Sequence, residues 1–467
     1  NATGRYRPSQ YQRNSVAIRK LPLAIWTQAV VLGVRISRRW QGRNVSAAMG
    51  LNAIDAAKKA PRQHGAMEYS EAPTDLNVVR GYRLQRLRDA LKAGDYAGGL
   101  FFNQLNTRYA TDATNMQVWC AHYETRCVFV CTDGPVVLFD YANHPHLATD
   151  LPGVDEYRAI PSFYFFSVGP RGEERVKMFA DQISDLVKTY GGGNNRIAVD
   201  HVSIMAAGAL QDQQISLHDG EGLAEMARAI KSPEELILMK ASMNACEQGI
   251  REMRAILEPG ITENALWAKL HEVNIRLGGE WIETRLLSAG PRTNPWFREC
   301  SMRPIELGDM VSFDTDLIGP YGYCSDISRA WVCGVDQGDI KPTDEQRRLY
   351  AKAHEQIEFN IGTLGPGKSF REVTESTWTI PEEFMSNRYS SCMHGIGLAD
   401  EYPSIKHKAD FNAKGYDGVF VPGMVMCVES FIGVEGGREG VKLEEQVVIT
   451  ETGVERMSSY PFETDWL

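Results

Sequence analysis

The sequence lacks the long apolar stretch that a transmembrane helix requires. Its run from Leu21 to Val34 is too short to cross a bilayer and includes Thr27 and Gln28. Low-complexity tracts and long heptad runs are also missing, so no coiled coil is predicted. With 43% hydrophobic and 24% charged residues, the 467-residue sequence is predicted to form a globular protein of two or three domains.

Cysteine pairs with the spacing of a zinc site are absent as well. The nine cysteines are scattered and odd in number, which favours reduced thiols in the cytoplasm over a disulfide framework. Residues 1–48 hold nine Lys or Arg and no Asp or Glu, and because the whole chain has a net charge of −10, the remainder carries −19. Such an acidic body argues against nucleic acid or a membrane as the main partner.

The basic segment at the start of the sequence is predicted to be a leader, residues 1–75, that is either disordered or a mis-assigned start. One interpretation is a targeting presequence, because such segments are rich in Arg and poor in acidic residues. The other is upstream sequence translated from a misplaced start, with Met49 or Met67 as the true first residue. We assign no function to this segment.

Residues 76–225 are predicted to form a smaller α/β domain. Two apolar runs flank Asp133-Gly134, which is a strong signal for a β-hairpin. A helix is predicted around 173–190 and a strand at 196–200, separated by three glycines that lack the spacing of a phosphate-binding loop.

Residues 226–467 are predicted to form an α+β domain with an internal duplication. Ser232 and Glu235 have the spacing of a helix capping box, and Thr343 with Gln346 repeats it. Both helices are predicted to end at the same Leu-x-Pro-Gly pattern, at 257–260 and at 364–367. The first helix carries an apolar stripe that is typical of a core-facing helix.

Two aspartates lie in an apolar run, Phe313-Asp314-Thr315-Asp316-Leu317. Asp is uncommon in strands, and a residue and its second neighbour point to the same face, so two carboxylates are predicted side by side in the core. Buried charges need an opposite charge or a metal, and this run holds no Lys or Arg. A turn near residues 320–321 brings a second strand back, which places Asp326 within reach of Asp314 or Asp316.

Two glutamates lie in apolar strands near the end of the sequence. With Gly436-Gly437 as the turn, Glu429 and Glu444 face each other directly, which is unfavourable unless a cation lies between them. His394, next to a glycine, is the candidate nitrogen ligand. Five carboxylates and one imidazole suit manganese, iron, cobalt or zinc, and they can hold one or two ions.

The order Asp, Asp, His, Glu, Glu resembles that of the pita-bread metallohydrolases, which include aminopeptidase P, prolidase, methionine aminopeptidase and creatinase. The resemblance covers about residues 80–460, including Asn106-Thr107-Arg108-Tyr109 in the creatinase-type amino-terminal domain. It implies a pseudo-symmetric α+β catalytic domain, a bound divalent metal and a homodimer.

The sequence departs from the peptidases of that family at three places. They have a histidine seven residues after the ligand histidine, where this chain has Glu401 after Asp400. They have another before the first Asp strand, whereas no histidine lies between His271 and Asp314. Their first two Asp ligands are eleven residues apart, and Asp314 and Asp316 precede Asp326 by twelve and ten. Which of the two bridges the metals stays open.

The same stretches are similar to those of the pita-bread dimethylsulfoniopropionate lyases. The matching segments are 279–285, 290–297, 312–316 and 394–401. This resemblance implies that iron or another divalent metal is bound by Asp314, Asp316, Asp326, His394, Glu429 and Glu444. It also implies that Asp400 is the base and that Tyr389 lies near the substrate, a small zwitterion.

The expected reaction is β-elimination, in which a metal stabilises charge on the substrate carboxylate while Asp400 removes the neighbouring proton. Dimethyl sulfide would leave and acrylate would remain. A sulfonium cation favours an aromatic face, so we expect substrate contacts from among Tyr389, Trp296, Phe297, Tyr321 and Trp331.

Two alternatives compete with the lyase. The first is an Xaa-Pro dipeptidase or aminopeptidase P-like hydrolase, in which Glu401 replaces the missing histidine and Arg285 or Arg292 holds a substrate carboxylate. The second is a non-catalytic binding protein that has kept the fold; the complete set of acidic ligands argues against it, because unused buried carboxylates are costly.

Overall fold

The computed structural model describes residues 72–467, so the predicted leader lies outside the described residues except for its last four positions. The helices of the described part are α1 (Leu76–Ala93), α2 (Gln104–Thr111), α3 (Gln117–His122), α4 (Phe165–Val168), α5 (Gly172–Tyr190), α6 (Ile204–Asp212), α7 (Glu221–Arg228), α8 (Pro233–Ile256), α9 (Glu263–Arg276), α10 (Asp344–Thr363), α11 (Phe370–Ser376) and α12 (Lys408–Lys414). None of them is both long and apolar enough to cross a membrane.

The strands of the described part form four sheets. They are β1 (Gly98–Phe101), β2 (Cys127–Cys131), β3 (Val136–Asp140), β4 (Glu156–Ala159), β5 (Arg196–Val199), β6 (Ser216–Asp219), β7 (Trp281–Ile282), β8 (Leu287–Ala289), β9 (Met310–Phe313), β10 (Leu317–Ile318), β11 (Cys324–Ser325), β12 (Arg329–Val332), β13 (Met393–Ile396), β14 (Asp400–Ile405), β15 (Val425–Ile432), β16 (Val441–Ile449) and β17 (Val454–Arg456). The orders are β4-β3-β2-β1-β5-β6, β11-β10-β7, β12-β9-β8 and β14-β13-β15-β16-β17.

The first sheet belongs to the predicted α/β domain. Its strands β1, β2 and β3 pair antiparallel, and β4, β5 and β6 join them by parallel pairing. The predicted hairpin around Asp133-Gly134 is confirmed, because β2 pairs with β3 across that turn. The apolar face of α5, with Phe179 and Ile183, packs on this sheet and buries it.

The second half of the chain repeats one arrangement, a pair of helices followed by antiparallel strands. Helices α8 and α10 each begin with the predicted capping box, at Ser232 with Glu235 and at Thr343 with Gln346, and both boxes are confirmed. The C-caps are Leu257 and Leu364, where the repeated Leu-x-Pro-Gly pattern begins. This repetition agrees with the predicted pair of related α+β halves.

The core of each half lies between its first helix and its strands. The stripe of α8, with Met243, Cys246 and Ile250, packs on Phe313 and Leu317. Helix α10 packs in the same way on the long hairpin β15–β16. Because both hairpin strands are buried along almost their whole length, any acidic side chain on them is removed from water.

We predict that Ser232→Ala lowers the free energy of unfolding by about 1 kcal/mol. Ser232 Oγ accepts a hydrogen bond of 3.2 Å from the backbone N–H of Glu235, and the Glu235 carboxylate accepts one of 3.0 Å from the N–H of Ser232. The measurement is urea denaturation followed by circular dichroism. Ser167→Ala, at an exposed serine outside any capping box, is the control; equal stability of the two variants would contradict the assignment.

Candidate metal centre

The two aspartates of the apolar run lie where one strand ends and another begins. The prediction of one continuous strand is wrong, because residues 314–316 separate β9 from β10. Strand β9 pairs with β8 and β12, whereas β10 pairs with β7 and β11, so the chain passes from one sheet to another at this point. Asp316 has a φ of 35°, in the left-handed region, which turns the chain between the two pairings.

The predicted approach of Asp326 to the two aspartates is confirmed. The strand pairing also shows that Asp314 and Asp316 face different partners. Leu317 pairs with Ser325, which places Asp316 opposite Asp326, and the Asp316 N–H donates a 3.2 Å hydrogen bond to Asp326 Oδ1. Phe313 pairs with Arg329, which places Asp314 opposite Ser328, and the Ser328 hydroxyl donates a 2.5 Å hydrogen bond to Asp314 Oδ1.

The predicted pairing of Glu429 with Glu444 is confirmed by the register of β15 and β16. Both side chains are buried, with 1% and 0% exposure. His394 Nε2 lies 3.2 Å from Glu444 Oε1, 3.3 Å from Glu429 Oε1 and 3.7 Å from Asp326 Oδ2. The imidazole therefore faces the same point as three carboxylates.

Potential metal-binding atoms fall into three overlapping groups, each with its atoms within 4.8 Å of one another. The inner group is Asp314, Glu429 and Glu444; the middle group is Asp326, His394, Cys427 and Glu444; the outer group is Asp316, Asp326 and Asp400. Glu444 and Asp326 each belong to two groups and so connect them. All six predicted ligands are thus brought together, and Asp400 and Cys427 lie beside them.

Lys442 lies at the centre of the carboxylates, although it is not among the residues predicted from the sequence. Its side chain has no exposure, and Nζ lies 2.7 Å from Glu444 Oε2, 3.1 Å from Asp314 Oδ2 and 3.2 Å from Glu429 Oε2. A usable signal was present, because Lys442 is two residues before Glu444 on one strand and so points to the same face.

Asp400 is brought to the other side of His394 by the hairpin of β13 and β14. His394 Nδ1 lies 3.0 Å from the carbonyl oxygen of Gly395 and 3.6 Å from Asp400 Oδ1. The Asp400 side chain is 51% exposed, toward a cavity of about 390 Å³ that the carboxylates of the centre also line. Burial raises the pKa of the Asp400 carboxyl above its usual value, and the nearby charge of His394 partly offsets this rise.

Burial and mutual repulsion change the protonation of the centre when no metal is bound. Burial, and next the charge of Glu444, raises the pKa of Asp314 and that of Glu429, each to about 7. Burial acts to raise the pKa of Glu444 as well, but Lys442 and His394 hold it well below its usual range. The metal-free centre therefore retains protons near neutral pH that a metal must displace.

These residues fit a divalent cation. The donors are carboxylate oxygens with one imidazole, the set that manganese, iron, cobalt and zinc accept. In addition, Glu429 Oε2 is buried and lies 3.2 Å from the Lys442 ammonium, so the protein already places a positive charge at this oxygen.

Of the predicted substrate aromatics, Tyr389 lines the cavity and Trp296 lies next to it. Phe297, which is 57% exposed, stacks on Tyr389 with 5.1 Å between ring centroids. Trp296 is buried in a small cluster with Leu286 and Phe431, against which Tyr389 packs. Burial raises the pKa of the Tyr389 hydroxyl well above its usual range, so it stays protonated.

Trp331 and Tyr321 do not fit the predicted substrate contacts. Trp331 is 3% exposed and packs on Phe313 in the core beneath α8. Neither Trp331 nor Phe313 is among the residues that line the carboxylate cavity. Tyr321 lines a different cavity, between α1 and α8. Neither ring is therefore a candidate for contact with a substrate in the carboxylate cavity.

Glu401, the neighbour of Asp400, is buried and paired. Its Oε2 accepts a hydrogen bond of 3.0 Å from Arg228 Nε, and its Oε1 accepts one from Lys231 Nζ. Arg228 also donates to Asn106 and Glu225, so this carboxylate is tied to the amino-terminal domain.

Comparison with known proteins agrees with this geometry. The model of metallopeptidase family M24 matches residues 237–451. Dimethylsulfoniopropionate lyase DddP of Roseovarius nubinhibens is 43% identical over 394 residues, which cover 83% of this chain and 87% of that protein. The protein of the same name from Roseobacter denitrificans is 41% identical over 422 residues, covering 88% of this chain and 93% of that one.

Solved structures support the fold. The Xaa-Pro dipeptidase from Bacillus anthracis superimposes with a TM-score of 0.66 at 21% identity, covering 82% of this chain and 99% of that one. The predicted pita-bread α+β fold is confirmed, and so is the resemblance to the lyases of that fold. At this identity, the likeness to the dipeptidase concerns the fold alone.

We predict that divalent metal stabilises the protein through the carboxylates of the centre. Mn²⁺ at a hundredfold excess over its Kd should add about 2.7 kcal/mol to the free energy of unfolding. At one fixed Mn²⁺ concentration, the rise in Tm should be larger at pH 8 than at pH 6. The reason is that protons held by Asp314 and Glu429 compete with the metal below about pH 7. Differential scanning fluorimetry of chelator-treated protein measures it.

The matched variants for this prediction are neighbours on β16. Glu444→Gln should abolish most of the Mn²⁺-dependent rise in Tm, because Glu444 belongs to two donor groups. Glu445→Gln should keep the rise, because Glu445 is buried against Arg329 at 3.0 Å, outside those groups. A normal rise in Glu444→Gln would refute the centre.

Proposed function

The chain belongs to metallopeptidase family M24, and we propose that within this family it is a metal-dependent lyase that cleaves dimethylsulfoniopropionate to dimethyl sulfide and acrylate. The observation that carries this proposal is the identity of 43% and 41% to two dimethylsulfoniopropionate lyases over most of the chain. The positions of Asp400 and Glu401 support it independently, because Asp400 lines the cavity beside His394 and the Glu401 carboxylate is held in buried ion pairs.

The proposed metal ligands are the six side chains that converge in the structure, Asp314, Asp316, Asp326, His394, Glu429 and Glu444. One or two divalent ions fit this set, and iron is favoured from the resemblance to the lyases. A metal held there would supply Lewis acidity that stabilises negative charge developing at the substrate carboxylate.

Asp400 is the proposed base. It reaches into the cavity and approaches His394, so a substrate gripped near the ligands would lie beside it. Its carboxylate takes the proton from the carbon next to the substrate carboxylate. The C–H electron pair becomes the second bond of the acrylate double bond, and the C–S bond breaks with its electrons leaving on neutral dimethyl sulfide. The raised pKa of Asp400 makes it a stronger base than an ordinary aspartate.

The sulfonium end of the substrate is proposed to lie against Tyr389 and its neighbours. Tyr389 lines the cavity, Phe297 extends its aromatic surface toward solvent, and Trp296 supports it from the core. An aromatic face attracts a sulfonium as it does other cations, with about 0.5–2 kcal/mol per contact.

The hydrolase alternative is weaker on structural grounds. It requires Glu401 to act at the substrate in place of a histidine, but Arg228 and Lys231 hold that carboxylate in a buried ion pair. Arg292, a proposed holder of a substrate carboxylate, is already paired with Glu263 at 3.1 Å, and Arg285 is paired with Glu299 at 2.6 Å. The elimination uses none of these groups.

We predict that the metal-loaded protein releases dimethyl sulfide from dimethylsulfoniopropionate, and that Asp400→Asn lowers kcat by about 10²–10⁴ while bound metal is retained. Headspace gas chromatography measures the product, and elemental analysis measures the metal. Asp336→Asn is the control, because Asp336 is also half-exposed but pairs with Arg254 at 2.7 Å, outside the cavity.

Two outcomes would overturn this assignment. Wild-type protein that releases no dimethyl sulfide with iron, manganese, cobalt or zinc restored is not this lyase. Release of the amino-terminal residue from Xaa-Pro peptides, without dimethyl sulfide production, would favour the hydrolase.

A homodimer in the cytoplasm is also proposed. Nine unpaired, buried thiols support a reducing compartment. A surface aromatic cluster supports a subunit interface: the partly buried rings of Trp119, Tyr123 and Tyr164 pack with Phe166, and Phe166 and its neighbour Phe165 are 71% and 78% exposed.

Light scattering after size exclusion should therefore give twice the 52.2 kDa of the chain. The double change Phe165→Ser with Phe166→Ser should shift the mass toward that of the monomer, because it removes apolar surface from the interface. Ile275→Ser, which removes an exposed apolar side chain elsewhere, should leave the dimer intact. A monomeric wild type would refute the dimer.

A further inference from the structure

Lys442 is enclosed by the inner donor group. Its Nζ contacts Glu444, Asp314 and Glu429 at 2.7, 3.1 and 3.2 Å, and it donates a 2.8 Å hydrogen bond to Ser328 Oγ. It also lies 4.8 Å from the centre of the Tyr389 ring. Four oxygen atoms and an aromatic face around one ammonium resemble the surroundings of a bound cation.

The charge at this point depends on Lys442. Within residues 72–467, Lys442 is the lysine or arginine that forms ion pairs with the predicted carboxylate ligands, and it contacts three of the five, Asp314, Glu429 and Glu444. In the same part of the chain, the other ion pairs of these carboxylates are with His394, which contacts Asp326, Glu429 and Glu444. Carboxylates this close and this buried cannot all remain charged without compensation. In the metal-free protein, the ammonium of Lys442 supplies that compensation.

Lys442 and His394 contact different oxygen atoms of the same glutamates. Lys442 approaches Oε2 of both Glu429 and Glu444, and His394 approaches Oε1 of both. The Ser328 hydroxyl lies 2.9 Å from Glu444 Oε2 as well, on the lysine side. The lysine thus leaves one oxygen of each glutamate directed to the imidazole, where the middle donor group lies.

We propose that Lys442 is a resident cation of the centre, which stabilises the folded protein before metal is bound and competes electrostatically with the metal afterwards. This inference rests on the proposed metal centre but not on the proposed substrate. Because the ammonium and a metal offset the same carboxylates, removing the ammonium should harm the metal-free protein more than the loaded one. By linkage, the folded variant should then bind metal more tightly.

The test compares Lys442→Met with wild type in the chelator-treated and Mn²⁺-loaded forms. We expect a larger loss of Tm in the metal-free form than in the loaded form, and a Mn²⁺ affinity higher by about tenfold or more in competition with a fluorescent chelator. Lys442→Arg, which keeps the charge, should behave more like wild type in both measurements.

The matched control is Arg126→Met. Arg126 is also buried and ion-paired, with Asp140 at 2.7 Å, but this pair belongs to the amino-terminal domain and lies outside the donor groups. Its loss should lower Tm by similar amounts with and without metal and leave the Mn²⁺ affinity unchanged.

Each remaining outcome has a defined meaning. Equal losses of Tm in both forms of Lys442→Met, or an unchanged or weaker Mn²⁺ affinity, would overturn the inference. If Lys442→Met folds only with Mn²⁺, the inference is supported; if both it and Lys442→Gln fail to fold even with Mn²⁺, it is overturned, because metal should replace the missing charge. A wild type that binds no Mn²⁺ would instead refute the metal centre itself.

Discussion

Five carboxylates with almost no exposure share one small volume, and the rest of the site depends on how their charge is compensated. Burial of a single unpaired carboxylate costs several kcal/mol, so a cluster of them is unstable without positive charge inside it. The protein provides two such groups, Lys442 on one side of the glutamates and His394 on the other. Between them, they determine which oxygen atoms remain available for a metal.

Backbone pairing delivers the carboxylates to that volume. The long hairpin β15–β16 places Glu429 against Glu444, and the return of the chain from β10 to β11 places Asp316 against Asp326. The change of sheet at 314–316 sends Asp314 toward Lys442 and Asp316 toward Asp400. The irregular backbone at this point therefore divides two neighbouring aspartates between the inner and the outer donor group.

Local sequence patterns were sufficient to predict the residues of the site that a hairpin brings together. A glycine pair between two apolar runs fixes the register, so the facing glutamates could be predicted from sequence. The break at Asp314–Asp316 could not, because the apolar run continues through it and only the sheets on either side require the turn. Lys442 could have been predicted as a neighbour of Glu444 from their spacing on one strand, but its contacts with Asp314 and Glu429 could not, because these residues come from strands far apart in the chain.

The aromatic residues that could contact the substrate also could not be selected from the sequence alone. Trp331 and Tyr389 are equally suited to a sulfonium by chemistry, but the first packs with Phe313 under a helix and the second lines the cavity. The fold decides between them through the direction in which each backbone segment points its side chain. Residue type alone therefore identifies candidates for such a contact, and only the packing selects among them.

The adjacent residues Asp400 and Glu401 of β14 have different roles: Asp400 is the proposed base, and Glu401 forms buried ion pairs. Both residues border the cavity, but the Asp400 side chain is half-exposed toward it, whereas the Glu401 carboxylate is buried against Arg228 and Lys231. Arg228 ends helix α7 and also holds Asn106 and Glu225. The resemblance to the peptidases of this fold implies a histidine that acts on the substrate at the position of Glu401. Here the same position joins the amino-terminal domain to the strand that carries the proposed base, which fixes Asp400 beside His394 and removes a group that peptide hydrolysis would need.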